Sequence, residues 1–210
     1  MFTIDTGSNG ANGPFLQWSA RGTQDGVIPP KSFYVRDGSE KTALASVAEG
    51  GIVLDLDSLK TGWQKSEGIA GVAPEWKWNP TVSQFMASPG EDYKKGLSIR
   101  CAIGGGKTAT WEQAGAAAWN AFVNMVPALQ QRQDGKLPLV KLTGTKLQQF
   151  KRGSTVEPVL EVVKWVDRPD CLKEGAAAGI ATEPVQQQAQ RAAQQVQAAA
   201  QTAAPADAEF

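Results

Sequence analysis

The stretch LSIRCAIGGGKTATWEQAGAAAWNAFVNMVPALQQ, residues 97–131, decides how the chain is read. Leu97 to Ile103 alternates apolar and polar side chains with period two, the pattern of a half-buried strand, and stops at Gly104-Gly105-Gly106. Beyond the glycines, Ala114, Ala118, Phe122, Met125 and Leu129 recur at spacings of 4, 4, 3 and 4, which predicts a helix over Trp111–Gln131. Thr110 and Glu112 are placed for its start. Strand, glycine loop and helix are also the frame of a phosphate-binding loop, and Gly106-Lys107-Thr108 supplies half of that motif. The motif requires Gly where Cys101 stands, and its spacing sets how many backbone amides curl round the phosphates. The glycines are therefore expected to form a flexible connection. A nucleotide-binding enzyme using Lys107 and Thr108 is the rival reading.

Working outward, turn chemistry separates further period-two runs. Upstream, Phe15 to Arg21 follows Asn12-Gly13-Pro14, Ser32 to Arg36 runs from Pro29-Pro30 into Asp37-Gly38, and Ile52 to Asp57 continues towards Trp63. A loop-like stretch then holds Trp76 and Trp78 ahead of Asn79-Pro80. Downstream, Leu137–Leu142 and Thr145–Phe150 read as extended segments around Gly144, and Val156–Val166 as a β-branched run ending at Arg168-Pro169. One helix between the third and fourth main strands is the element order of an OB-fold. The expected class is mostly β (α+β): an embellished, OB-fold-like β-barrel with large loops or extra strands at 22–50 and 64–95.

Composition sets the domain limits and removes much chemistry. Of 210 residues none is histidine, which excludes a Ser/His/Asp or Cys/His nucleophile, a histidine general base and a histidine-bearing zinc site. Cys101 and Cys171 lack C-x-x-C spacing and read as reduced core residues. Asp55 and Asp57 lie on one face of a predicted strand, but no further oxygen ligands can be nominated, so they read as a solvated pair rather than a metal site. No small-molecule cofactor is implied. Residues 1–173 carry 20 Lys and Arg against 17 Asp and Glu; residues 174–210 carry Arg191 against Glu174, Glu183, Asp207 and Glu209. In that second segment 14 Ala and 8 Gln leave too few large apolar residues to offset the entropy of ordering it. A basic domain, 1–173, and a disordered acidic tail, 174–210, are expected. No apolar run approaches a membrane span and the first residues do not resemble a signal peptide, so a cytoplasmic protein without membrane partners is expected.

Seven tryptophans occur, all before residue 174: Trp18, Trp63, Trp76, Trp78, Trp111, Trp119 and Trp165. Trp119 and Trp165 read as core. Lys60 and Lys65 flank Trp63, and Lys77 separates Trp76 from Trp78. Aromatics interleaved with cations suit single-stranded nucleic acid, because bases stack on rings while cations track phosphates. An aromatic cluster closing one end of a barrel is the competing reading. Further candidate contacts are Tyr34, Arg36, Arg100, Lys107, Lys146, Lys151 and Arg152, each of which could equally be a solvated surface charge. In the tail, Asp207, Glu209 and the exposed Phe210 form a candidate peptide ligand for a partner protein.

With its strand and helix order, its Trp/Lys clusters and a Gln/Ala-rich linker closing in Asp207-Ala208-Glu209-Phe210, the chain resembles the single-stranded DNA-binding proteins of bacteriophages, and by its ending the bacterial ones. That resemblance implies an OB-fold body that binds single-stranded DNA without sequence preference and protects it in DNA replication, recombination and repair. It further implies a tail that recruits replication and recombination proteins and competes with DNA for the body, and no enzymatic activity. The tail departs from the bacterial pattern in having only two terminal acids, with Glu209 instead of Pro before Phe210. Oligomeric state stays open, a homodimer included. A phage structural or scaffolding protein, with the Ala/Gln arm as an assembly segment, is the other alternative.

Overall fold

Alternation along one strand organises the fold. In the computed structural model, which describes residues 13–68, 72–150 and 153–173, strand β7 (Lys94–Ala102) buries Leu97, Ile99 and Cys101 on one side and turns Ser98 and Arg100 to the other. The chain divides into units Met1–Glu174 and Gly175–Phe210. All described residues belong to the first. Lys151, Arg152, the linker and the tail residues Asp207, Glu209 and Phe210 lie outside the described residues.

The protein is mostly β. Its strands are β1 (Phe15–Ser19), β2 (Ser32–Asp37), β3 (Glu40–Ala43), β4 (Ile52–Leu54), β5 (Lys60–Lys65), β6 (Glu75–Trp78), β7, β8 (Thr108–Ala114), β9 (Lys136–Phe150) and β10 (Gly153–Asp167). The helices are α1 (Ser46–Glu49), α2 (Ala116–Leu129) and α3 (Asp170–Lys173). One sheet runs β10-β9-β4-β7-β8-β1-β2-β3, with β5 bridging β7 to β6. All pairings are antiparallel except β1 with β8.

Two expectations are corrected here. The sheet does not close into a barrel. It curls far enough for Trp18 Nε1–H of β1 to donate to the Val156 carbonyl of β10 at 2.8 Å, and Arg21 to the Ser154 carbonyl at 3.1 Å, so side chains span the gap where a ladder would have closed it. The long predicted helix is also two elements. Gly104, Gly105 and Gly106 have φ of 94°, 60° and 71°, a left-handed run that side chains rarely adopt. They turn a β7–β8 hairpin, with Lys107 N–H donating to Gly104 and Ile103 N–H to Lys107. The helix begins only after Gly115, at φ 108° and ψ 163°. Trp111 is thus a strand residue, fully buried under Phe33 in an edge-to-face contact. Because a strand follows Lys107, no helix N-terminus faces the glycines.

The core lies between the concave side of the sheet and α2, where Ala118, Phe122, Met125 and Leu129 meet Leu16, Ile99, Val140 and Leu160. The helical stripe read from residue 114 onward is real from 118. Trp119 and Trp165, by contrast, are half-buried and belong to neither buried cluster. The segments 137–142 and 145–150 form one strand, with an irregularity at Thr143, where the register shifts between Val159, opposite Gly144, and Leu160, opposite Leu142.

Asp55 and Asp57 are not a solvated pair. A 3-10 turn at Leu56–Ser58 interrupts the edge that β4 and β5 present to β7, and Ser58 Oγ accepts the Arg100 N–H that the interruption exposes, at 2.9 Å. The same turn drives Asp55 inward, to 2% exposure. Arg168 meets Asp55 at 2.7 Å and Asp57 at 2.5 Å, while Arg132 takes the other Asp57 oxygen at 2.9 Å. Among the described residues no cluster of three or more metal-ligating side chains occurs. Removing one partner of a buried ion pair leaves an uncompensated charge. Arg168→Ala is therefore expected to lower unfolding stability by roughly 3 kcal/mol or more in urea melts; a loss under about 1 kcal/mol would show that the pair does not anchor the turn.

Candidate nucleic-acid interface

The register of β6, β5, β7, β8, β1 and β2 places their residues in rows, and side chains in one row share a face. The convex side opposite the core carries Trp76 and Trp78 from β6, Lys60, Gly62 and Gln64 from β5, and Lys94, Gly96, Ser98 and Arg100 from β7. Thr110 and Glu112 continue it on β8, Phe15 and Gln17 on β1, Tyr34 and Arg36 on β2, and Lys41 on β3. Five cations therefore share this face with one strand carboxylate, Glu112. From β6 to β2 it spans roughly 24 Å, at ~4.8 Å per strand.

Tryptophans form one end. The rings of Trp76 and Trp78 stack with centroids 4.2 Å apart and planes 9° from parallel. They can lie down because the strands beneath carry glycine: a Cβ on Gly96 would sit 2.7 Å from Trp76 Cη2 and 2.8 Å from the Ala114 Cβ, and one on Gly62 would strike the Lys77 carbonyl. Trp76 is thus held between Gly96 and Trp78. Among the described residues no further ring or cation packs on Trp78, which is half-buried. At the other end Tyr34 donates its hydroxyl proton to Gln17 Oε1 at 2.6 Å, and the Arg36 guanidinium lies 5.7 Å from the centroid of Phe15. Lys41 pairs with Asp25 at 2.6 Å.

The remaining nominated residues lie elsewhere. Trp63 and Lys77 occupy the row with Lys95, on the opposite face. Trp63 donates its indole proton to the Met86 carbonyl at 3.0 Å and packs on Phe85, which packs on Trp119; Lys95 lies 5.3–5.9 Å from all three rings. Lys77 pairs with Glu75 at 3.6 Å and sits over Tyr93, whose hydrogen bond raises its pKa. Lys65 pairs with Asp92 at 3.7 Å. Lys107 is exposed at the β7–β8 turn, beside Asp37 and Glu40, and Lys146 is exposed on β9. Sequence reading missed Lys94, Phe15, Gln64 and Glu112. The signal for Lys94 was there: Lys94, Gly96, Ser98 and Arg100 are the period-two complement of Leu97, Ile99 and Cys101.

Glu112 is the electrostatic exception. Burial pushes its carboxyl above the usual range, while Ser98, a longer contact from the Trp76 indole N–H and the charge of Lys60 draw it back. That indole nitrogen is buried without a well-formed hydrogen bond. No protein-family model matches the chain, and no curated protein or solved structure matches it.

A carboxyl whose pKa is higher in the folded chain than in the unfolded one stabilises fully below its ordinary value, here 4.5, and that share is lost as pH rises through the raised value. The stability of Glu112→Gln relative to the unsubstituted chain should therefore increase from pH 4 to pH 7. Urea melts at the two pH values check this, and a constant or falling difference would contradict it.

Proposed function

We propose that the convex face is a binding surface for single-stranded DNA, used without sequence preference to cover and protect the strand during DNA replication, recombination and repair. One observation carries the reading: a stacked Trp76–Trp78 pair, with Trp76 seated on Gly96, stands at the end of a face whose strands carry five cations and one carboxylate, Lys41 being paired with Asp25 from outside the strands. The uncovered face of the half-buried Trp78 ring supplies stacking energy to any base, and cations in line with it neutralise phosphates, which together suit an unpaired strand. Phe15 and Tyr34 offer further aromatic surface near Arg36.

In this reading the curled, unclosed sheet is an elaborated relative of the OB barrel, and the chain acts by binding, not by catalysis, in the cytoplasm of a host cell. Asp207, Glu209 and Phe210 would recruit replication and recombination proteins. The nucleotide-hydrolysis alternative loses its frame, because the glycine loop that would cradle a phosphate joins two strands. Nothing in the described residues favours a scaffolding role over binding.

Trp78→Ala is expected to weaken oligo(dT) binding between about 5-fold and 100-fold, the worth of one stacked base, with an unchanged thermal melt. With Arg36, Lys60 and Lys94 on phosphates, log affinity should fall with log salt at a slope of about −2 or steeper. Binding that is insensitive to both the substitution and salt would refute the reading.

A further inference from the structure

The convex face does not end at β6 and β8. Lys94, in the row of Gln64 and Trp76, also lines a groove of about 1200 Å³. The groove runs between the first residues of α2 and the outer ends of β9 and β10, with Gln113, Trp119, Asn120 and Phe150 along it. Among the described residues its charged side chains are Lys94 and Lys95, with no carboxylate. Two other concavities differ in this respect, one holding Asp37 and Glu40 beside Lys107, the other Asp170. Its volume exceeds what one small ligand ordinarily fills. Phe150 is 49% exposed at the end of a 15-residue strand, a large apolar ring held out on the hairpin where no core requires it.

We propose that this groove is a second subsite for the same DNA strand, continuous with the convex face through Lys94. Phosphates pass Lys94 and Lys95, a base stacks on Phe150, and Asn120 offers its amide group to base edges or sugar, while Gln113 lines the groove with its own amide held by the Trp18 backbone. Lys95 reaches the groove while held over Trp63, Phe85 and Trp119, so the aromatic cluster of the concave side positions a phosphate contact instead of stacking bases itself. The inference rests on the single-stranded DNA reading and extends it: the strand leaves the Trp76–Trp78 pair, turns past the end of β7 and continues under the β9–β10 hairpin. Continuity with the convex face through Lys94 selects the occupant, and the lysines match its phosphates where an apolar peptide would leave them unmatched.

The test uses the full chain and labelled oligo(dT) of roughly 4 to 16 nucleotides. Affinity should rise with length until both subsites are covered. Phe150→Ala should level off at a shorter length and lose between about 5-fold and 100-fold on the longest oligonucleotide. Lys94→Gln should lower the salt slope by about 0.7. Iodouracil placed along the longer oligonucleotide should crosslink to Phe150 at one end and to Trp78 at the other. If Phe150→Ala keeps the length dependence of the unsubstituted chain and no crosslink reaches Phe150, while Trp78→Ala still weakens binding at every length, the groove is excluded and the convex face stands. If the unsubstituted chain binds none of the oligonucleotides, both fall.

Discussion

Everything in this molecule hangs on the two-sidedness of β7. Its nine residues pair with β8 along one edge and with β5 and then β4 along the other, so alternate side chains are committed to the core against α2, and on the opposite side Ala102 is buried in the smaller cluster with Val53, Leu137 and Leu172. Leu97, Ile99 and Cys101 hold the sheet to α2; Gly96, Ser98 and Arg100 are left to the convex face. A one-residue slip would exchange the two sets and bury Arg100, and that cost fixes the register. The 3-10 turn opposite Arg100 is the one interruption, and it is locked by Ser58 from within and by Arg168 and Arg132 from without.

That constraint explains what the sequence revealed. Period-two runs located most strands, because burial on one face writes itself directly into alternation. It hid the β8 strand, because Thr108–Ala114 alternates in the same residues that begin a plausible helical stripe, and only the left-handed glycines and Gly115 decide between them. Barrel closure was not legible either: whether β1 and β10 zip together depends on curvature accumulated over the six strands from β10 to β1, and here the gap is filled by Trp18 and Arg21. Of the residues on the convex face, Trp76, Trp78, Tyr34, Arg36, Lys60 and Arg100 were nominated from residue type and proximity in sequence. Trp63 was grouped with Trp76 and Trp78 for the same reason, yet its row in the sheet turns it to the opposite side.

The division of tryptophans follows from the same geometry. Trp18 and Trp111 are core; Trp63 and Trp119 flank Phe85 and gather round Lys95; Trp76 and Trp78 stack on each other, with Trp76 over Gly96. Only the last pair lies on the convex face with Lys60, Lys94 and Arg100. Glycine is what makes this arrangement attainable, since any side chain at residue 62 or 96 would lift the rings or part the strands. Glu112, the strand carboxylate beside the Trp76 indole, limits the positive field of that face and gives it a dependence on pH.

The claim that single-stranded DNA lies on the convex face is tested most directly by following the seven tryptophan indole N–H resonances while oligo(dT) is added to the isotope-labelled chain. The account predicts that Trp76 and Trp78 shift strongly and together, and that the buried Trp18 and Trp111 hardly move. Shifts confined to tryptophans off the convex face, or none in any of the seven at saturating oligonucleotide, would contradict it.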